Sequence, residues 1–199
     1  MKHLHFPVLS LFSIAFISTL SSCSSSVKLN CNSILKETTK DSASSNYVEL
    51  LDGEKVFGQT INRPNASFIM IDNDRYDISE IKGYYENETY FLKYDKIFIE
   101  RLIHGKISIY KSSKKISNTN LNSSADMDLH LIESCTFYAQ KSNEASPIPI
   151  TRPNLLFQWV QDCNSSATMI NIDSKMLRKA IKEEPSFLNK VLLAYNNCH

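Results

Sequence analysis

Tyr90-Phe91-Leu92-Lys93-Tyr94, Lys96-Ile97-Phe98-Ile99 and, after the turn dipeptide His104-Gly105, Lys106-Ile107-Ser108-Ile109-Tyr110 decide how this chain folds. Each run is short, bounded by turn residues and dominated by β-branched and aromatic side chains, which suit half-buried pleated surfaces. The same pattern extends upstream. Residues 47–51 and 55–59 flank Asp52-Gly53, a strong tight-turn dipeptide. Phe68-Ile69-Met70-Ile71 is an apolar run, followed by Asp72-Asn73-Asp74 and the alternating Tyr76 and Ile78. The spacing predicts an antiparallel β-meander from residue 47 to about residue 110.

Downstream the signal weakens and then changes period. Residues 112–125 are polar and read as structureless, 127–140 as one more strand, and 147–149 as a short extended edge. Thr151 can cap a helix that carries Leu155, Leu156, Trp159 and Val160 on one face. Asp173 can cap a second with Met176, Leu177 and Ile181, and Pro185 can open a third with Leu188, Val191, Leu192 and Tyr195. The expected fold is α+β: an antiparallel β-meander followed by two or three C-terminal helices packed on the sheet. It is expected as a single domain over residues 47–199, mostly β to residue 150 and mostly α from 151.

The N-terminus carries an export signal. Lys2, His3 and His5 make a basic start, and residues 6–20 are apolar and uncharged. That stretch of about 15 residues is shorter than the roughly 20 that a bilayer span takes. It ends in Leu20-Ser21-Ser22-Cys23, which resembles the bacterial lipobox: an aliphatic residue, two small residues and the cysteine that is acylated and becomes the new N-terminus. The small residues let the chain extend through a peptidase site, and the thiolate receives the lipid. Residues 1–22 are therefore expected to be a lipoprotein signal peptide. Cys23 is the expected lipid-attachment site, and residues 23–46, rich in Ser, Asn, Lys and Thr, a flexible tether. An ordinary cleaved signal with Cys23 as a plain cysteine is the alternative. Ser24 resembles an outer-membrane address, which implies a protein anchored in the outer membrane and facing the periplasm.

Composition narrows the function. Without residues 1–22 the chain keeps 177 residues, and losing Lys2 leaves 21 basic side chains against 21 acidic. A nucleic-acid footprint needs a strong basic excess, so nucleic acid is not an expected partner. Lys111, Lys114 and Lys115 form the one local cluster and read as a solvated loop. Beyond Cys23 there are four cysteines, an even number that permits two disulfides in an exported protein. Cys163 with Cys198 is the preferred pair, because each follows a predicted helix; Cys31 with Cys135 is the remainder. Unpaired thiols are the alternative. The wide spacing argues against zinc.

Few residues suggest chemistry. Asp126, Asp128 and His130 alternate and would share one face of a strand, where they are weak candidates for a divalent metal. Alternation of this kind is equally what a half-exposed strand shows. Asp72-Asn73-Asp74-Arg75-Tyr76-Asp77 fails the calcium-loop pattern, since Tyr76 and Arg75 intrude and Gly83 stands where the bidentate Glu belongs. Aromatics gather at Tyr84, Tyr85, Tyr90, Phe91, Tyr94, Phe98 and Tyr110; on one open face they could stack on sugar rings. No nucleophile elbow and no phosphate-binding glycine loop is present among the four glycines, so no catalytic residue and no cofactor is assigned.

The run from Gly83-Tyr84-Tyr85 through Arg101-Leu102-Ile103-His104-Gly105-Lys106-Ile107-Ser108-Ile109-Tyr110, with the tail Ala194-Tyr195-Asn196-Asn197, resembles small uncharacterised exported proteins of Bacteroidota. The resemblance covers about half of the mature chain and implies no activity. The expected function is a lipid-anchored, non-enzymatic binding or assembly module of the cell envelope, contacting an envelope protein or glycan. The runner-up is a small hydrolase acting on glycan or peptide, with Asp126, Asp128 and His130 as its cluster; a structural part of a larger outer-membrane complex is a third reading. Substituting Cys23→Ala is expected to abolish incorporation of labelled palmitate and to move the protein from the membrane to the soluble fraction. Palmitate retained in that variant would refute the lipobox reading.

Overall fold

The computed structural model describes residues 28–37, 45–63, 67–118, 130–142, 144 and 146–198. Among them the alternating runs form strands β1 (Asn46–Leu50), β2 (Lys55–Gly58), β3 (Ile61–Asn62), β4 (Phe68–Ile71), β5 (Asp74–Asp77), β6 (Ile81–Glu86), β7 (Thr89–Tyr94), β8 (Ile97–Ile103), β9 (Ile107–Asn118), β10 (His130–Lys141) and β11 (Ile148–Ile150). Helices α1 (Asn154–Trp159), α2 (Asn164–Ile170), α3 (Ser174–Glu183) and α4 (Phe187–Asn196) follow. The architecture is α+β. Eight strands form one antiparallel sheet ordered β11-β10-β9-β8-β7-β6-β1-β2, and β3-β4-β5 form a second, smaller sheet.

Tight turns build these hairpins. Asn87 and Glu88 both take positive φ between β6 and β7, as a two-residue hairpin turn requires, and Asp95 does so after β7. Asp72, also at positive φ, turns β4 into β5. Its carboxylate accepts hydrogen bonds from the Thr60 and Gln59 backbone N–H groups, which hold it below the usual carboxylate range. The acidic run at Asp72 is thus a hairpin turn.

Several expectations are corrected. Residues 112–118, read as structureless, continue β9, and the β9–β10 ladder runs unbroken from Ile107 opposite Lys141 to Asn118 opposite His130. Backbone pairing with a continuous partner overrides the poor strand propensity of this Ser- and Lys-rich stretch. Four helices replace two or three. The unexpected α2 is rich in Ser, Asn and Thr, which favour caps and turns over helix interiors. Tertiary contacts hold it there: Ser166 Oγ donates to the Val191 carbonyl, and Ile170 is buried. Asp173 caps α3 through the Lys175 and Met176 N–H groups, whereas Pro153, not Thr151, occupies the N-cap position of α1 and provides no side-chain bond. Pro185 lies in the turn before α4.

The tether expectation fails for residues 28–37. Ile34 is 2% exposed inside the core between helices and sheet. The Leu35 backbone is held at both polar groups by the Asn189 side-chain amide of α4, and Glu37 N–H donates to the Leu102 carbonyl. Cys31 and Cys135 lie at disulfide distance, as do Cys163 and Cys198. A strap with little apolar content is fixed because one isoleucine, three hydrogen bonds to its backbone and a cysteine at disulfide distance from β10 all act on the same few residues.

Directly opposed residues of an antiparallel pair share a face, so the register sorts the side chains. One face of the large sheet carries Ile103, Ile109, Phe137 and Ala139, covered by Leu156, Val160, Leu188, Val191 and Leu192 of the helical layer. Farther along the same face Val48 and Tyr84 pack against Ile69 and Ile71 of the small sheet. Ile34→Ala is expected to lower unfolding free energy by about 2–5 kcal/mol, the range for truncating a buried Ile to Ala. Urea denaturation checks this; a change within about 0.5 kcal/mol, as for a surface site, would mean the strap is not packed.

Candidate functional site

The other face of the large sheet is lined by tyrosine. Register places Tyr47 opposite Tyr85, Tyr85 opposite Tyr90, and Tyr110 opposite Tyr138, with Leu92 opposite Ile99 between them. Together with Tyr94 these form one cluster in which Tyr47, Tyr85, Tyr90, Tyr110 and Tyr138 are all buried. Tyr47 stacks on Tyr85 with ring centroids 5.3 Å apart.

Burial here comes from curvature. Tyr94 on β7 and Tyr138 on β10 are separated by β8 and β9, yet their ring centroids are 4.7 Å apart. Three strand steps in a flat sheet set backbones roughly 14 Å apart, so the sheet curls toward the tyrosines. Register shifts between Glu49 and Leu50 and between Arg101 and Ile103 mark irregularities that increase local twist. The second also turns both Leu102 and Ile103 into the opposite, helix-covered core.

Curling leaves a cleft of about 700 Å³ on this face. Its walls hold a small set of oriented polar groups. Tyr90 Oη donates to Glu49 Oε2 at 2.7 Å, and Lys82 Nζ donates to Glu49 Oε1 at 2.6 Å. Gly83 makes the first contact feasible: it lies between Glu49 and Leu92 in the sheet, and a Cβ there would sit 2.5 Å from Tyr90 Oη. Tyr110 Oη donates to Gln140 Oε1 at 3.0 Å, and the Arg101 guanidinium lies 4.6 Å from the centre of the Tyr90 ring. His104, Lys93, Asp95 and Lys141 stand around the cleft as well.

The protonation states of the polar floor are fixed. Burial pushes the Glu49 carboxyl up, but hydrogen bonds from Lys82 and Tyr90 and the charges of Lys82 and Lys55 outweigh it and leave it below the usual carboxylate range. Burial raises Tyr90, as do the hydrogen bond to Glu49 and the charge beside it; Tyr110 is raised mainly by burial. Glu49 therefore stays ionised and both phenols stay protonated through neutral pH, so this set offers constant hydrogen-bonding partners rather than a proton relay.

The sequence-level candidates are distributed differently from expectation. Of the seven aromatics singled out, Tyr85, Tyr90, Tyr94 and Tyr110 reach the curled face. Tyr84, Phe91 and Phe98 point the other way, packed beside the small sheet with the Arg63 guanidinium 5.0 Å from the Tyr84 ring. The Tyr84 hydroxyl is buried without a hydrogen-bond partner among the described residues, and burial pushes it up to about 12. Asp126 and Asp128 lie outside the described residues; His130 pairs with Asn118 at the end of β10 remote from Gln140. Among the described residues no cluster of three His, Cys, Asp or Glu side chains assembles. Cys23 also lies outside them. Sequence reading missed Tyr47, Glu49, Arg101, Tyr138 and Gln140. Glu49 shares the period of two with Tyr47, and Gln140 with Tyr138, but which faces would meet depends on curl.

The chain matches no family model, and the comparisons with curated proteins and with solved structures found no match.

Tyrosine burial gives a pH signature. Unfolded tyrosines ionise near pH 10, whereas Tyr84, Tyr90, Tyr110 and Tyr138 are all raised in the fold. The folded state thus holds protons that the unfolded state releases, so their stabilisation is complete below about pH 10 and falls as pH rises above it. Denaturation midpoints are expected to drop steeply above that pH, and tyrosinate absorbance in the folded protein to lag behind that of the denatured chain. Coincident titration of the two states would contradict a buried tyrosine layer.

Proposed function

We propose that this chain is a lipid-anchored protein of the cell envelope that acts by binding, held at the periplasmic side of the outer membrane through Cys23 and taking its ligand in the tyrosine-floored cleft. The cleft carries the reading. Its volume of about 700 Å³ falls within the range of roughly 300–1,000 Å³ usual for ligand sites. Its composition, apolar and aromatic walls with a few fixed polar groups, is the pattern of recognition surfaces.

An envelope glycan is the ligand class favoured by these walls. Tyr90 and Tyr94 supply ring surfaces and Leu92 an apolar floor, while Glu49, Arg101 and Gln140 supply acceptors and donors for hydroxyl groups. The curled geometry suits one or a few sugar units seated in the cleft better than a long strand laid across an open sheet. Fixed protonation of Glu49, Tyr90 and Tyr110 supports binding over acid–base catalysis.

The test is a mild-detergent purification of the native lipidated protein from its own membranes, followed by glycan and protein mass spectrometry. A glycan is expected to accompany the wild type. Gln140→Ala, which also strips Tyr110 Oη of its acceptor, is expected to weaken its retention by about tenfold or more, the effect of leaving a buried polar group unpaired. Undiminished glycan on Gln140→Ala would overturn the cleft assignment. A protein that co-purifies with both forms and is lost with Cys23→Ala would make the chain an assembly subunit instead.

A further inference from the structure

Residues 28–37 start the folded domain much closer to the lipid than a long tether would. Lys28 is five residues beyond Cys23, and five residues span at most roughly 17 Å when fully extended. Leu29 N–H already donates to the Thr151 carbonyl at 3.4 Å, and Cys31 is at disulfide distance from Cys135 of β10. The chain is therefore fastened to the β10–β11 side of the sheet almost as soon as it leaves the acylated residue.

We infer that the surface around Lys28, Leu29, Thr151 and Arg152 rests on the membrane, with an anionic lipid surface as its partner; this depends on lipidation of Cys23, as proposed above. The chemistry of the patch fits that partner. Lys28, Leu29, Thr136, Phe137, Ile150 and Arg152 line a shallow recess of about 310 Å³ whose lining has two basic side chains and no acidic one. Lys28 and Arg152 are exposed, and each basic residue near an anionic leaflet strengthens partition by about fivefold.

Apposition also sets where the cleft stands. Gln140, on its wall, is five residues along β10 from Cys135, a distance of about 17 Å at strand rise. The cleft is then carried close above the bilayer rather than out into the periplasm, in reach of polymers or headgroups near the membrane.

The experiment uses full-length lipidated protein on vesicles of phosphatidylethanolamine and phosphatidylglycerol, with flotation to confirm attachment and hydroxyl-radical labelling read by mass spectrometry. Labelling of Leu29 and of the peptide containing Thr151 and Arg152 is expected to fall severalfold relative to soluble Cys23→Ala. Phe57, exposed on β2 at the opposite edge of the sheet order, should label equally in both. A Gly/Ser insert of ~20 residues between Val27 and Lys28, spanning roughly 25 Å on average, should still float but lose most of that protection. Wild type that fails to float overturns lipidation and apposition together. Wild type that floats while Leu29 labels as in the soluble form overturns apposition alone.

Discussion

A wide antiparallel sheet with apolar side chains on both faces cannot lie flat in water, and everything else in this molecule follows from how that is resolved. One face is covered conventionally, by four helices and a three-stranded sheet. The other has no comparable layer among the described residues and instead closes over itself. Strand twist, increased at the two irregularities beside Glu49 and Arg101, draws Tyr94 and Tyr138 together across two intervening strands. Tyrosine suits this role. Its ring supplies apolar area to a curled surface, and its hydroxyl can still reach Glu49 or Gln140 at the cleft wall.

Holding that curl requires a rigid opposite face. Helix α4 provides it through apolar contacts of Leu188, Val191 and Leu192 and through two asparagines about two turns apart, near its two ends. Asn189 grips the Leu35 backbone, and Asn196 grips the Ile107 backbone with both amide atoms. Gly105 lies so close to Asn196 that a Cβ would come within 2.4 Å of its amide. Lys106 Nζ adds a bond to the Cys198 carbonyl, so the C-terminus is tied to the β8–β9 turn as well as to Cys163. Sheet, helical layer and strap thus constrain one another, and the cleft inherits its shape from contacts made on the far side of the sheet.

Much of this was legible in the sequence, but unevenly. Alternation and turn dipeptides located the strands, because Asp52-Gly53 and the β-branched runs carry local signals. The change of period at residue 151 located the helical tail. Residues 112–118 carry no strand signal of their own because their strand state comes from a partner strand, and α2 carries no helical signal because Ser, Asn and Thr favour caps and turns. The strap was hidden for the same reason: a single buried isoleucine in a polar stretch looks like a tether. The division of aromatics between two faces is set by register, which a one-residue slip would reverse. The cleft was less visible still. Tyr47 and Tyr138 are 91 positions apart in the chain, and only the curl brings their neighbourhoods together.

The most direct measurement is of ring-to-ring nuclear Overhauser effects between Tyr94 and Tyr138 in the mature protein, with tyrosines selectively labelled and the pair assigned by Tyr94→Phe and Tyr138→Phe. Ring centroids at 4.7 Å predict a strong cross-peak that each substitution removes. Absence of that cross-peak in a folded sample would mean that the sheet does not curl over its tyrosine face, and the cleft would have no physical basis.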